Sequence, residues 1–355
     1  MSKNIFVFVE QRGGSIQKVS LELIGEATRL AADLGEAVVA VLMGHNIADK
    51  ADMLCQYGAD EVLVLDHPVL AEYTTEPYVK GIVSVIQQFD PNIVLFGASS
   101  IGRDMAPRVA GRVHTGLTAD CTRLDVKVEN YQQYLLTSTS MSLQPEKVAA
   151  LDKSDRFLKM TRPAFGGNVM ATIVCRKYHP QMATVRPGVM EMPVKDTTRK
   201  GEIIDVDAGL SMDDMNVEIL EVVKNAKKEV DITDAKVLVS GGRGVGGPEG
   251  YNPLRALAAE LGGEVSSSRI GVDSGWIEKS RQVGQTGKTV HPNLYIACGI
   301  SGAIQHLAGM GSSDFIVAIN KDAEAPIFDV ADLGVIGNLY DVCPALTKLV
   351  LADKD

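Results

Sequence analysis

The first part of the chain alternates short apolar runs with longer amphipathic stretches. Val19 to Leu34 and Pro77 to Phe89 carry apolar residues at helical spacing. The apolar runs between them are brief, rich in valine and isoleucine, and bounded by turn or charged residues, which predicts buried strands at Ile5 to Val9, Ala37 to Met43, Glu61 to Leu65 and Ile93 to Gly97. Strands that alternate with helices indicate a mostly parallel sheet.

The pattern changes after Thr115. Cys121 to Val128, Tyr134 to Ser138 and Met170 to Cys175 read as extended segments without clear helices between them. We expect them to add an antiparallel edge to the first domain.

A polar, irregular region from Val185 to about Val230 separates this part from a second alternation. Asp213 to Val230 is predicted as a linker helix. Beyond it, we expect strands and helices in turn, at Lys236 to Ser240, Pro253 to Leu261, Glu264 to Ser267, Leu294 to Cys298, Ala303 to Met310, Phe315 to Ile319 and Asn338 to Leu351. The predicted organisation is two α/β domains, residues 1–205 and 231–355, with a linker at 206–230.

Composition narrows the classes of function. The 355 residues suit two domains, and the formal net charge of −10 disfavours a general nucleic-acid binder. The five cysteines are scattered without a C-x-x-C pair, which disfavours disulfides and cysteine metal sites and predicts buried free thiols. We expect a cytoplasmic protein without membrane insertion, since no stretch has the apolar length of a membrane span or the form of a targeting segment.

Two glycine-rich motifs invite competing interpretations. The segment from Gly242 to Gly247 fits G-x-G-x-x-G after a strand, which would suggest an NAD(P)-dependent oxidoreductase. However, Glu264 begins the next strand instead of ending it, and the insertion Pro248 to Pro253 delays the helix that would bind pyrophosphate. Gly284 to Thr289 lacks the Walker spacing, although its backbone amides, hydroxyl and cation suit a diphosphate or a heteroaromatic ring.

Three polar loops fall within the second domain: Val283 to Lys288, Ser301 to His306 and Asn320 to Phe328. Such loops after strands build sites for large phosphorylated cofactors. From Ser240 to Pro344, and again at Thr115 to Asp120 and Thr161 to Asn168, the sequence resembles the electron transfer flavoprotein alpha subunit.

The resemblance implies a nucleotide-hydrolase-like first domain without a cofactor of its own and a Rossmann-like second domain that binds FAD. The partner would be the electron transfer flavoprotein beta subunit, in a heterodimer. The chain would carry electrons between a flavoprotein dehydrogenase, such as an acyl-CoA dehydrogenase, and an acceptor. The resemblance leaves two types of carrier open: a plain carrier, whose beta subunit holds AMP, and a bifurcating carrier, whose beta subunit holds a second FAD and uses NADH, with ferredoxin or flavodoxin as acceptor. No metal and no catalytic residue are expected.

The resemblance also assigns roles within the site. Arg269 would neutralise a reduced flavin, as a fixed guanidinium in a low-dielectric site does on physical grounds. Thr286 would address the flavin ring nitrogens, His306 would donate to the pyrimidine carbonyl, and Asn338 replaces an aspartate common at the adenosine end. The complete set of implied FAD contacts is Arg243, Ser268, Arg269, Val283, Gly284, Gln285, Thr286, Gly287, Ser301, Gly302, Ala303, Ile304, Gln305, His306, Asn320, Asn338 and Leu339.

Two other hypotheses remain open at this point. One is the NAD(P)-dependent oxidoreductase that would use Gly242 to Gly247. The other is a subunit scaffold whose flavin site has decayed. Taken singly, an arginine such as Arg269 is more often a surface ion pair, and a histidine such as His306 is more often a core or helix-capping residue. Only their occurrence together in one domain favours the flavin interpretation.

Overall fold

The computed structural model describes residues 2–137, 144–164, 169–222, 231–233 and 235–352. The chain divides into two compact units. One consists of Met1–Pro163 and Met170–Val222, and the other of Ala164–Val169 and Val223–Asp355. Residues 165–168, which end the motif that begins at Thr161, lie outside the described residues. No helix in the described part of the chain is both long and apolar enough to cross a membrane.

Up to Val222 the chain forms a mixed α/β arrangement. Its strands are β1 (Ile5–Val9), β2 (Gln11–Arg12), β3 (Ser15–Ile16), β4 (Val38–Gly44), β5 (Glu61–Asp66), β6 (Ile93–Gly97), β7 (Leu117–Cys121), β8 (Arg123–Asp125), β9 (Lys159–Ala164), β10 (Val169–Val174), β11 (Gln181–Val185) and β12 (Glu202–Asp205). Its α-helices are α1 (Lys18–Leu34), α2 (Ala51–Gln56), α3 (Thr75–Phe89), α4 (Ser100–Val113), α5 (Val128–Thr137) and α6 (Pro145–Ala149).

The main sheet of this unit has seven strands in the order β12-β5-β4-β1-β6-β11-β7, with parallel pairings. Alternate residues of β1 face opposite layers: Ile5, Val7 and Val9 pack with α1, whereas Phe6 and Phe8 pack with α3. A strand covered on both faces must be apolar at every position, which explains why these strands appear as continuous apolar runs.

The prediction that antiparallel strands extend the edge of the first domain is wrong about where these strands lie. β8 and β9 pair antiparallel, but with β10 they form a separate three-stranded sheet. The segment predicted as extended from Tyr134 to Ser138 is described only up to Thr137, and this part belongs to α5. The rings of Tyr131 and Tyr134, one helical turn apart, lie 6.3 Å apart, and the Arg123 guanidinium lies 4.6 Å from the Tyr134 ring. These tyrosines therefore pack along one side of a helix and do not belong to a strand.

The predicted linker helix, Asp213 to Val230, lies partly outside the described residues, at 223–230. In the described part, only a short 3₁₀ turn forms, at Met212–Asp214. Ser211 and Asp214 cap this turn reciprocally, and Met215 already has an extended backbone. The helix prediction is therefore wrong for the part that can be described.

The second unit contains a five-stranded parallel sheet. Its strands are β13 (Val237–Gly241), β14 (Glu264–Ser267), β15 (Leu294–Cys298), β16 (Ile316–Asn320) and β17 (Leu333–Ile336), in the order β14-β13-β15-β16-β17. Its α-helices are α7 (Asn252–Glu260), α8 (Arg269–Asp273), α9 (Ile304–Met310) and α10 (Leu339–Ala352). The mixed α/β fold class, with two parallel sheets, agrees with the prediction.

Both faces of the second sheet are covered. On one face, Val239, Ile296 and Val317 pack with residues of α7 and α10. On the other, Leu238 and Tyr295 pack with Val283 and Met310, among others. Four of the five cysteines are buried free thiols, as predicted: Cys55 and Cys121 in the first unit, and Cys298 and Cys343 in the second. Cys175 is a half-buried free thiol.

Candidate cofactor site

A cleft of about 820 Å³ opens at the carboxyl ends of the strands in the second unit. The order β14-β13-β15-β16-β17 reverses direction between β13 and β15, and a reversal of this kind leaves a crevice where such sheets bind ligands. Every strand of the sheet contributes through the loop that follows it. These loops supply Arg243 and Gly244, Ser268 and Arg269, Gly299 to Ser301, Asn320 to Asp322, and Gly337 with Leu339.

The structure brings most of the predicted contact residues to this cleft. The predicted residues that line it are Arg243, Ser268, Arg269, Val283, Gly284, Gln285, Thr286, Ser301, Ala303, Gln305, His306, Asn320 and Leu339. Gly287, Gly302, Ile304 and Asn338 are not among the lining residues. Residues from separate parts of the sequence thus meet in one place, because most of them lie at or after the ends of strands of the same parallel sheet. Val283 to Thr286 instead come after a 3₁₀ turn at Lys279–Arg281.

Two of the predicted residues outside the lining, Gly302 and Asn338, have structural roles beside the cleft. Gly302 has a φ of +92°, and a Cβ there would lie 2.3 Å from the Ile327 nitrogen, so this position requires glycine. Ile304 begins α9 and is 44% exposed. The Asn338 side-chain oxygen accepts from the Tyr340 backbone N–H, 3.3 Å away, at the start of α10. Asn338 therefore caps a helix beside the cleft.

Arg269 is the most prominent cation of the cleft. It follows β14 and opens the short helix α8, and its Nε donates to Asp273 Oδ2 at 2.9 Å, one helical turn away. Both side chains are well exposed, 68% for Arg269 and 56% for Asp273. An exposed pair of this kind is weak, so the guanidinium is available to another anion in the cleft.

The loop after Gln282 is held by backbone hydrogen bonds within the loop and to α9. Gln285 N–H donates to the Gln305 carbonyl and Lys288 N–H donates to the Gln282 carbonyl, both at 2.7 Å. The Gln282 amide donates to the Thr286 hydroxyl at 3.0 Å, which leaves the hydroxyl hydrogen of Thr286 able to donate elsewhere. The Lys288 ammonium lies 2.8 Å from Asp231, so this cation is engaged away from the cleft.

His306 lines the cleft but is only 6% exposed. Its Nδ1 lies 3.2 Å from the Val283 carbonyl oxygen, and its Nε2 lies 3.0 Å from the Tyr295 hydroxyl. Burial lowers the pKa of His306 to about 4, with the Val283 hydrogen bond acting in the opposite direction. The ring is therefore neutral at physiological pH.

Asn320 joins two of the loops. Its Nδ2 donates to the Ile300 carbonyl at 2.9 Å, and its Oδ1 accepts from the Asp322 N–H at 3.0 Å. These bonds connect the end of β16 to the loop after β15. Asn320 thus lines the cleft and also holds its shape.

The Gly242 to Gly247 motif serves backbone packing. A Cβ at Gly242 would lie 2.4 Å from the Gly299 oxygen, and one at Gly244 would lie 2.8 Å from the Gly299 Cα. A 3₁₀ turn at Pro248–Tyr251 precedes α7, so α7 begins only at Asn252. The last glycine of the motif therefore does not stand at the start of an α-helix, where a pyrophosphate would bind.

Several lining residues were not predicted from the sequence. They include Gln282, Asp273, Lys321 and Asp322. Asp273 could have been found, since it stands four residues after Arg269 and an acid at this spacing faces an arginine on a helix. Gln282 carries no comparable signal, because its role depends on the fold of the loop that follows it.

Comparisons with known proteins bear on this cleft. The chain matches the family model "Electron transfer flavoprotein domain" over residues 5–141 and 144–211. It matches the model "Electron transfer flavoprotein FAD-binding domain" over residues 231–311, which include most of the cleft.

Named relatives align along nearly the whole chain. The chain is 49% identical to the electron transfer flavoprotein subunit alpha of Thermoanaerobacterium thermosaccharolyticum, over 98% of this chain and 97% of that protein. It is 44% identical to the acryloyl-CoA reductase electron transfer subunit beta of Anaerotignum propionicum, over 99% and 97%. It is 39% identical to the lactate dehydrogenase (NAD(+),ferredoxin) subunit LctC of Acetobacterium woodii, over 98% of this chain and 77% of that protein.

Proposed function

This chain belongs to the electron transfer flavoprotein alpha-subunit family, and we propose that it carries electrons between a flavoprotein dehydrogenase and an acceptor. It is an FAD-binding protein of the kind that pairs with a beta subunit. The observation that carries the proposal is the cleft to which the loops after all five parallel strands of the second unit contribute.

The residues present fit FAD. At about 820 Å³, the cleft falls within the range of small-molecule sites. Arg243 and Arg269 provide positive charge, and Ser268, Thr286 and Ser301 provide hydroxyls. FAD, when bound, supplies the capacity to accept and release electrons.

This chain's own residues would bind FAD and set its reduction potential. Arg269 places a permanent positive charge in the cleft, and positive charge favours an added electron. The Thr286 hydroxyl, held by the Gln282 amide, offers a directed donor. We assign no proton transfer to substrate, so the chain has no catalytic acid or base in this proposal.

The test is flavin content after co-expression with the beta subunit. We expect a yellow heterodimer that retains FAD through gel filtration, and FAD loss on replacement of the cleft residues. A heterodimer that assembles but remains colourless when supplied with FAD would contradict the proposal. Tight binding of NADH by a flavin-free preparation would instead favour a nicotinamide-dependent oxidoreductase.

The finer proposal concerns the redox partners. We propose an acyl-CoA dehydrogenase as the flavoprotein dehydrogenase, with NADH-dependent electron bifurcation and ferredoxin or flavodoxin as acceptor. Support comes from the names of the relatives, one an electron transfer subunit of an acryloyl-CoA reductase and one a subunit of an NAD- and ferredoxin-linked lactate dehydrogenase.

Flavin stoichiometry separates the bifurcating carrier from a plain carrier. We expect two FAD per heterodimer, measured after acid release and chromatography. We also expect NADH-dependent reduction of ferredoxin only when the acyl-CoA dehydrogenase and an enoyl-CoA are present, because the enoyl-CoA accepts the other electrons from NADH and is reduced to the acyl-CoA. One FAD together with AMP would indicate a plain carrier and would overturn the bifurcation proposal.

A further inference from the structure

A group of positive charges lies in the first unit, at the carboxyl ends of β6, β11 and β7. Arg103 belongs to α4, which follows β6, Arg186 directly follows β11, and Asp120 lies within β7. Arg162 comes from β9 of the separate three-stranded sheet. Three arginines thus gather around one aspartate, in a chain whose formal net charge is −10.

Backbone hydrogen bonds bring two of these arginines to the same short segment. The Cys121 carbonyl accepts a hydrogen bond from the Arg186 N–H at 3.1 Å. The next residue, Thr122, donates its N–H to the Thr161 carbonyl at 2.9 Å, directly before Arg162. Arg162 and Arg186 are therefore held beside adjacent residues, although they belong to different sheets.

The nearby aspartate does not balance this charge. The charges that act on Arg186 are those of Asp120, which is negative, and of Arg103 and Arg162, which are positive. The Arg103 Nη2 already donates to Asp120 Oδ1, 2.9 Å away. Three guanidiniums around one carboxylate leave an excess of two positive charges at this place.

Arg162 and Arg186 carry that excess. Both side chains are half-buried, and neither makes a hydrogen bond or an ion pair with the residues that the structure describes. The Arg162 Nε is itself buried and has no partner among them. Burial lowers the pKa of Arg186, with nearby Asp120 acting in the opposite direction. Partly buried cations without a counter-charge destabilise a protein, so this pair calls for an anion from outside the chain.

We propose that Arg162 and Arg186 together bind a carboxylate of the beta subunit, which supplies the missing negative charge when the heterodimer forms. Guanidiniums recognise carboxylates through paired N–H donors, and such charge-assisted bonds are strong where water is excluded. A subunit that stays bound suits the site, because a transient ligand would leave two half-buried cations unbalanced each time it dissociated. The inference rests on the proposed function and adds to it a place where the beta subunit is recognised.

Zero-length cross-linking of the heterodimer tests the contact directly. Arg162→Lys and Arg186→Lys keep the positive charge and introduce a primary amine, which a carbodiimide couples to a carboxylate that touches it. We expect each substituted position to be joined to an aspartate or glutamate of the beta subunit, identified by mass spectrometry of tryptic peptides. Arg176→Lys is the matched control, because Arg176 is 66% exposed and is already paired with Asp155 at 2.7 Å. No cross-link at either position, or an equal yield in the control, would overturn the proposal.

The second test is the rate at which this chain leaves the heterodimer. Variant heterodimer is mixed with an excess of heterodimer that contains a tagged copy of the chain, and exchange of the beta subunit is followed by affinity capture. Arg162→Gln and Arg186→Gln should each speed exchange about tenfold, because each removes a hydrogen bond to a desolvated carboxylate. The double variant should add less than a further tenfold, since both guanidiniums bind one group. Arg176→Gln should leave the rate unchanged, and rates unchanged in both single variants would contradict the subunit contact.

A small anion at this site would give a different result. Inorganic phosphate that binds the wild-type heterodimer in calorimetry but not Arg186→Gln, without any change in subunit exchange, would assign the site to a free anion and overturn the proposal. Neither cross-linking nor exchange depends on flavin. A heterodimer that assembles without FAD would refute the proposed function, yet the cross-link would still report on Arg162 and Arg186, so the two failures are distinguishable.

Discussion

Replacing Arg269 with alanine should lower the potential at which bound FAD takes up its first electron. The side chain follows β14, lines the cleft and is paired only weakly, with the exposed Asp273 at 2.9 Å. An electron added to the cofactor creates negative charge unless a proton follows. Removal of a nearby fixed cation then destabilises the reduced form more than the oxidised form.

The magnitude follows from the position of the side chain. Two unit charges about 4 Å apart interact by about 1 kcal/mol in water and by about 4 kcal/mol near a protein surface. These values correspond to a lowering of roughly 40 to 170 mV for one electron. Arg269 is 68% exposed before a ligand covers it, which favours the lower end. A cofactor that excludes water from the guanidinium moves the expected value upward.

The assay is a spectroelectrochemical titration of the heterodimer at two salt concentrations. Arg269→Lys keeps the charge and should retain most of the potential. The matched control is Arg255→Ala, an exposed arginine of α7 whose guanidinium lies 5.7 Å from the Tyr251 ring and which does not line the cleft. If Arg269→Ala leaves both one-electron couples unchanged, or shifts them no more than Arg255→Ala does, the role assigned to Arg269 is wrong.

Three further predictions concern stability and binding. His306 is folded with a pKa of about 4, below the value of the unfolded chain, so the unfolded chain binds more protons between the two values. This difference contributes about 3 kcal/mol to the free energy of unfolding, a contribution that should be complete above about pH 6.5 and lost as pH falls to about 4. In denaturant unfolding, His306→Asn should remove this part of the dependence of the unfolding free energy on pH. Gly302→Ala should lower the free energy of unfolding by about 1–3 kcal/mol in the same assay, because φ is +92° and the new Cβ would collide with Ile327. An unchanged free energy of unfolding would show that this position tolerates a side chain. Asn320→Ala, which loses its bonds to two loops, should weaken FAD binding about tenfold in ultrafiltration, while Asn293→Ala, whose amide contacts Asp314, should not.

The strands at the centre of each sheet were predictable because burial on both faces leaves a continuous apolar signal. β1, β6 and β15 begin and end where the sequence pattern predicts. β14 also has the predicted bounds, although it lies at the edge of its sheet. β17 was missed for the opposite reason. It lies at the edge of its sheet, contains Gly334, and exposes Leu333 and Ile336, so its apolar residues form no buried run.

The site was predictable as a set of loops but not as a set of contacts. Resemblance indicated which residue types stand at the strand ends, and the parallel sheet brings those ends together. Hydrogen bonds between separate elements of the site could not be predicted, because they join residues from different parts of the sequence. The bond from Tyr295 to His306 spans a strand and a helix, and the bond from Asn320 to Ile300 joins two loops. Each depends on side-chain directions that only the packed fold defines.

The positions of Arg269 and His306 explain why only one of the two carries a positive charge. Arg269 is exposed before a ligand covers it, whereas His306 is buried, and burial lowers its pKa and so disfavours a charge on its ring. A buried, neutral histidine cannot add positive charge when an electron arrives unless it also takes up a proton. A guanidinium remains charged at every physiological pH. The potential of the first electron should therefore be set by Arg269 and should be independent of pH, a property that suits a carrier whose electrons must move without waiting for protons.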